Sequence, residues 1–379
     1  MNTQIDQQSG PVARLARLRD LMQERRYDAV VVRDEASLRW LTGATGVFDY
    51  TGEYPHAAFI TQDSALLHTD SRYLNSFEEN LPEGSPWILD MDELAIPAWV
   101  ARAAYKLQAR VVGIEDDMQI GFYQGILRAA EDRSIALTMP LMHGDIRLMR
   151  AIKDAEELEL MRQAQAITDA AFTHMVGFIR PGLTEKQIRL ELERYMFENG
   201  ADSLAFDSIV ASGPNTANPH AIPSDRVVER GDFVLMDYGA GYRDYRSDMT
   251  RTVVLGTPTD KQREIYDLVQ RCHETCAAAI HPGVDGHEIH MLSKKIIGDA
   301  GYGEYYGHSL GHGVGIDIHE LPTFGRLSNT VAEGAVITVE PGVYLPGIGG
   351  VRLEDCGVVT KDGYKPFTQS PHDLVVIDC

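Results

Sequence analysis

Apolar residues recur at helical spacing through ARLARLRDLMQERRY, which starts just after Val12, and predict a first helix. The run DAVVV (28–32) that follows is continuous enough to be a buried strand. AAFITQDSALLHT (57–69) reads as two short strands about a turn at Gln62 and Asp63. A further helix is expected over 97–108, where Pro97 suits a first helical position, and RVVGIED (110–116) reads as another strand. Helices and strands in alternation predict a small α/β domain over residues 1–145.

From Ala151 a long charged and amphipathic pattern, AIKDAEELELMRQAQAITDAAFTHMVGFI, predicts a helix stopped by Arg180, Pro181 and Gly182. It carries the chain into a second domain, 146–379, which mixes helical patterns (184–199, 259–280, 287–300) with hairpin-like β segments, helix runs coming before strand pairs. That grouping reads as α+β rather than doubly wound. Within it the sequence echoes itself. GDFVLMDYG runs from Gly231 through Asp237 to Gly239, and GAVITVEPG from Gly334 through Glu340 to Gly342, with the acid at the same place in each. Each is followed by a second strand bearing another acid, Asp248 in SDMTRTVVL and Glu354 in GVRLEDCGVV. Two hairpins of like design, each with two acids, suggest a pseudo-twofold duplication.

Composition narrows the classes. A chain of 379 residues suggests two or three domains at roughly 150 residues each. With 35 Lys and Arg against 56 Asp and Glu the formal charge is −21, which argues against nucleic acid and anionic membrane as partners. No run approaches the roughly 18 apolar residues of a spanning helix, and the polar start MNTQIDQQSGP shows no secretory pattern. Four cysteines are too few for a disulfide framework, so a reducing cytoplasm is expected.

The informative acids are those inside apolar strands. Asp237 follows FVLM, Glu340 follows VITV, and Glu354 lies in VRLEDCGVV. A buried carboxylate is costly unless paired or bound to a cation, and four together cannot all ionise without a strong positive centre. Two divalent ions would balance them and could share a hydroxide between them. Candidate histidines lie in GHSLGHGVGIDIHELP (307–322), which holds His308, His312 and His319 among four glycines. One imidazole with four carboxylates suits Mn²⁺, with Co²⁺ or Zn²⁺ as alternatives.

Taken together, SIVASGPNTANPH (208–220), MDYGAGYRDYRSDMTRT (236–252), GHSLGHGVGIDIHELP and VEPGVYLPGIGGVRLED (339–355) resemble the pita-bread metallopeptidases, the family of aminopeptidase P, prolidase and methionine aminopeptidase. RLMRAIKDAEELELMRQA (147–164) is similar to the helix with which their catalytic domain begins. The resemblance covers nearly the whole chain and implies an α/β front domain joined to an α+β pita-bread catalytic domain. It implies five ligands for two divalent ions, Asp237, Asp248, His312, Glu340 and Glu354, with Asp248 and Glu354 bridging and a shared hydroxide as the attacking group. Glu340 would move the proton toward the leaving nitrogen. His220 and His319 would steady the substrate and the tetrahedral intermediate, His308 would line the pocket after the cut, and Arg352 would hydrogen-bond near the metals or the substrate. The front domain, with the complete ligand set, points to the proline-specific branch, in which a proline-containing peptide is cut before proline. Whether the substrate is a dipeptide or a longer peptide stays open. The resemblance also implies a homodimer or dimer of dimers, with 47–56 as a candidate lid.

Other patterns in the chain fit less well. Gly307-His308-Ser309-Leu310-Gly311 fits the G-x-S-x-G elbow of serine hydrolases, but no apolar strand precedes it and Asp317 and His319 follow too soon. Cys272, His273, Cys276 and His281 do not match common zinc spacings and read as part of a helix. GIGG (347–350) reads as a hairpin turn, not a phosphate loop. A non-catalytic peptide-binding protein on the same fold would be expected to have lost ligands, and all five are present.

Overall fold

The computed structural model describes residues 9–48, 55–91 and 95–378. Two compact units result, Met1–Arg150 and Ala151–Cys379. In the first, the buried strand Ala29–Val32 pairs antiparallel with Ala57–Thr61 and parallel with Val112–Ile114. Ala65–His68 and Ile88–Leu89 complete a five-stranded mixed sheet. Val31, Phe59 and Val112 meet Trp99 and Ile126 from the helices Ile96–Lys106 and Ile120–Glu131 in one core.

The boundary falls at residue 150 rather than at the expected 145. The short helix Asp145–Arg150 is fastened to the first unit by ion pairs from Arg150 to Asp34 (2.9 Å) and from Arg25 to Asp145 (3.0 Å). The Arg150 side chain is buried, and burying a charge requires such a partner. The long helix likewise begins at Ala155, not 151. Asp154 and Glu157 form a reciprocal capping box there, and Ile152 is already committed to a bridge with Ala335. Of the candidate lid 47–56, residues 49–54 lie outside the described residues.

The second unit is built from two similar halves. The first half comprises α1 (Ala155–Phe178), α2 (Glu185–Glu198), β1 (Ile209–Ser212), β2 (Phe233–Tyr238) and β3 (Met249–Leu255). Its four-stranded sheet runs β1, β2, β3, then Val376–Ile377. The second half comprises α3 (Asp260–Ala279), α4 (Gly286–Asp299), β4 (Gly311–Gly313), β5 (Glu320–Phe324), β6 (Val336–Val339), the hairpin β7 (Gly342–Leu345) and β8 (Gly349–Arg352), β9 (Asp355–Thr360) and β10 (Gly363–Pro366). Its five-stranded sheet has the order β5, β4, β6, β9, β10.

Strand alternation then sorts the side chains. Val234, Met236, Met249 and Val253 join Met175, Ile188 and Leu192 of α1 and α2 in one core. Ile337, Val339 and Val359 join Ile265, Val269 and Ile289 of α3 and α4 in another. Asp237, Asp248, Glu340 and Glu354 have the opposite parity on their strands, so they leave the helix-facing side of each sheet. In the first hairpin Asp237 lies opposite Thr250, and in the second Val339 lies opposite Asp355, one residue short of Glu340 and Glu354. The expected duplication is therefore present in sheet order, helix pairing and the placement of the acids.

Candidate metal centre

Asp237 sits in β2, Asp248 just before β3, Glu340 just after β6 and Glu354 just before β9. His312 is the middle residue of β4. That strand is squeezed between β5 and β6 and bulges at His312 and Gly313. The glycines on either side are required, because a Cβ at Gly311 would lie 2.1 Å from the Thr338 carbonyl oxygen, and one at Gly313 would lie 2.2 Å from that of Leu321. His312 Nδ1 donates to the Gly313 carbonyl at 3.0 Å, which leaves the Nε2 lone pair free to face the acids. Nε2 lies 3.5 Å from Asp248 Oδ2 and 3.6 Å from Glu340 Oε1. These gaps are too long for hydrogen bonds and leave room for a cation. Donor atoms of Asp248, His312 and Glu354 all lie within 4.8 Å of one another.

The electrostatics of the cluster follow from burial. Asp248 and Glu354 are almost wholly buried. Burial, and then the charge of Glu354, holds the Asp248 carboxyl well above the usual carboxylate range. The same two causes raise Glu340, and burial followed by the charge of Asp237 pushes Glu354 up to about 8. Burial, and then His319, lowers His312 to about 4, so its imidazole is neutral at pH 7 and able to ligate. Asp237 Oδ1 is buried without a hydrogen-bond partner. A buried oxygen-rich set with one neutral imidazole, an orphaned carboxylate oxygen and mutually repelling acids fits divalent cations.

A surrounding network holds the acids in place. Thr250 Oγ1 donates to Glu354 Oε2 at 2.7 Å and receives Arg352 Nε at 3.0 Å. The Arg352 guanidinium also pairs with Asp237 and donates to Tyr344 OH at 2.8 Å. His308 donates from Nδ1 to the Ser309 carbonyl, so its Nε2 accepts from Tyr344 OH at 2.9 Å. His308 Nδ1 lies 3.9 Å from Glu340. The ring of His319 lies 4.4 Å from that of His312. His220 is exposed and close enough to His308 and His319 to depress the pKa of both, behind the larger effect of burial. His308, His319 and Arg352 thus stand beside the four acids and the imidazole of the cluster, with His220 near His308 and His319.

Some neighbours were not expected from the sequence. Thr250, Thr338 and Tyr344 belong to the network, with Thr338 accepting the His312 N–H at 3.1 Å and bonding Glu340. Thr250 stands two residues after Asp248 on the same strand face, and Thr338 two before Glu340, so period-two spacing from each acid could have marked both. Lys153 and Glu320 form a buried ion pair of 2.9 Å, with side chains only 1% and 5% exposed. Glu320 Oε1 also accepts the Asp317 N–H at 3.1 Å, which fixes the turn that carries His319. Ser309 is exposed and leads into a strand, not a helix, so the serine-elbow pattern has no structural counterpart. Cys272 and Cys276 are buried in the second core.

Comparison with known proteins agrees with this architecture. Residues 14–152 match the Creatinase/Prolidase N-terminal domain and residues 159–361 match Metallopeptidase family M24. The Xaa-Pro dipeptidase of Pyrococcus horikoshii is 36% identical over 94% of this chain and 97% of its own. Among solved structures, an Xaa-Pro dipeptidase from Bacillus anthracis superposes with a TM-score of 0.88 at 36% identity, covering 97% of this chain and all of that one. An X-Pro aminopeptidase from Thermotoga maritima superposes at 0.84 with 32% identity, over 96% of this chain and 100% of that one. With a catalytic domain of pita-bread architecture behind a creatinase/prolidase-type front domain, the chain belongs to metallopeptidase family M24.

Proposed function

We propose that this metallopeptidase is an Xaa-Pro dipeptidase that hydrolyses the peptide bond on the amino side of proline. The observation that carries the reading is the meeting of Asp237, Asp248, His312, Glu340 and Glu354 in a buried cluster whose acids repel one another. Relatives named Xaa-Pro dipeptidase that align over nearly the full length support the substrate class.

Those five residues would hold two divalent ions, with Mn²⁺ favoured by the excess of oxygen donors. When bound, such ions supply Lewis acidity that brings a water toward neutral pKa and polarises the scissile carbonyl. The chain's own groups do the rest. Glu340, at the mouth of the cluster beside His308, accepts a proton on its carboxylate and returns it to the leaving proline nitrogen. That transfer has to be supplied, because an amide nitrogen leaves as an amine only once it has gained a proton. His319 and His220 donate to the substrate carbonyl as charge builds on it. His308, fixed by Tyr344 and the Ser309 carbonyl, presents a ring face to the proline. Arg352 stays charged while buried, because Asp237 and Tyr344 surround it, and it holds Asp237 in position.

The test is turnover of an Xaa-Pro dipeptide, an Xaa-Pro-Xaa tripeptide and an Xaa-Ala dipeptide with added Mn²⁺. Hydrolysis of the first, little of the other two and complete loss with chelator are expected. Faster turnover of the tripeptide would convert the reading to an aminopeptidase, and equal turnover of Xaa-Ala would remove proline specificity. Glu340→Gln should lower kcat by roughly 10²–10⁴-fold with the fold intact, and full activity in that variant would remove Glu340 from the proton path.

A further inference from the structure

Glu354 and its neighbour Asp355 leave β9 on opposite faces. Glu354 enters the cluster described above, and Asp355 turns toward α3, where it is 1% exposed. Its Oδ1 receives Arg251 Nη2 at 2.8 Å. Its Oδ2 receives His372 Nε2 at 2.7 Å, and His273 Nε2 of α3 lies 3.6 Å from the same oxygen. His273 is 1% exposed, yet neither of its ring nitrogens has a hydrogen-bond partner among the described residues. A buried imidazole without protein partners is uncommon, and its nitrogens call for a water or an ion as partner. The rings of His273 and His372 stand edge to face at 4.8 Å, and donor atoms of all three side chains lie within 4.8 Å of one another. His372 is 32% exposed, so the group has an opening to solvent.

We propose that His273, Asp355 and His372 form a separate divalent-metal site that takes zinc in preference to manganese. Two imidazole nitrogens and one carboxylate oxygen suit zinc, with water as the fourth ligand. Zinc bonds of about 2.0–2.1 Å set tetrahedral donors about 3.3 Å apart. The two separations from Asp355 Oδ2, 2.7 Å and 3.6 Å, bracket that value. Arg251 orients the carboxylate from its other oxygen, as outer hydrogen bonds commonly do at metal sites, and its charge weakens the ion's binding. Arg251 also donates to the carbonyls of Pro371 and Ser370, so it holds the backbone that presents His372. A bound ion would tie α3, β9 and the C-terminal segment together, on the opposite side of β9 from the peptidase cluster. The His273 and Cys272 pattern had no zinc spacing along the chain because the other donors come from β9 and the C-terminal segment.

The experiment compares native protein with His372→Ala and His273→Gln, each loaded with Mn²⁺, dialysed into the same zinc buffer and measured for metal content. Zinc exchange into the catalytic cluster is common to the three proteins and cancels. The native chain should retain one zinc equivalent more than either variant, and added zinc should raise its Tm by more than theirs. Equal zinc content in the native protein and His372→Ala overturns the site. His372 is partly exposed, so this variant decides the matter even if His273→Gln does not fold.

Discussion

In the first half of the catalytic unit β2 lies between β1 and β3, with α1 and α2 on one face; in the second, β6 lies between β4 and β9, with α3 and α4 on one face. Equivalent strands give Asp237 and Asp248 on one side and Glu340 and Glu354 on the other. The halves part at the neighbouring strand. Ser212 pairs with Val234, three residues before Asp237, and Gly313 pairs with Ile337, three residues before Glu340. Ala211 therefore occupies the place taken by His312 in the other half. The first half offers two donors and the second three. Duplication makes the negative charge nearly symmetric, and a single histidine makes the donor set unequal, so the two ions proposed above would meet different donors.

The comparison can be broken at several points. Glu354→Gln and Asp248→Asn remove matching acids from the two halves, and each should lower kcat/KM on an Xaa-Pro dipeptide by roughly 10³-fold or more at saturating Mn²⁺. Substantial activity left in one of them would show that the matching positions do not do matching work. Arg251 reaches from β3 across to Asp355 in β9, an ion pair with both side chains 1% exposed. Arg251→Met should cost about 3–5 kcal/mol of stability by leaving that carboxylate buried without its main partner. Calorimetric unfolding checks this, and an unchanged Tm would show that the pair does not join the halves energetically.

Smaller effects sharpen the picture. His312→Ala should lower activity by about 10²-fold at limiting Mn²⁺ and recover in part at excess Mn²⁺, because one donor is lost and four remain. No recovery would mean that His312 does more than ligate. In chelated protein, Glu354 has a folded-state pKa of about 8, raised above its ordinary 4.5. A raised carboxyl binds more protons folded than unfolded, so its stabilising effect is present at low pH and lost as pH climbs from about 4.5 through about 8. The Tm of chelated protein should fall across that window, and Mn²⁺ at about 100 times its Kd should return about 2.7 kcal/mol. A Tm flat with pH after chelation would contradict the crowding of acids. Least severe, Thr250→Val removes the hydroxyl that holds Glu354 and should cost about tenfold in kcat/KM or in Mn²⁺ affinity, read by titration.

The acids were legible in the sequence because a charged residue stands out at the end of a continuous apolar run, and because two such strands repeat one pattern. The histidines were harder. His308, His312 and His319 share one glycine-rich stretch, and spacing alone did not separate the ligand from its neighbours; the resemblance to a family did. Tyr344, on the hairpin between Glu340 and Glu354, carries no such signature, since its role depends on meeting Arg352 and His308. The Lys153 and Glu320 pair joins residues 167 positions apart, which no local pattern reports. Capping explains the shifted helix start, as periodicity continues through Ala151 while Asp154 and Glu157 supply the hydrogen bonds that begin the helix.

The division of donors between two halves also bears on how the protein matures. A half that has folded alone holds at most three of the five donors, so it grips an ion weakly. With the proposed ligand set, tight retention of metal would require both sheets to have closed on each other. Resistance to a chelator would then count finished molecules in a refolding mixture.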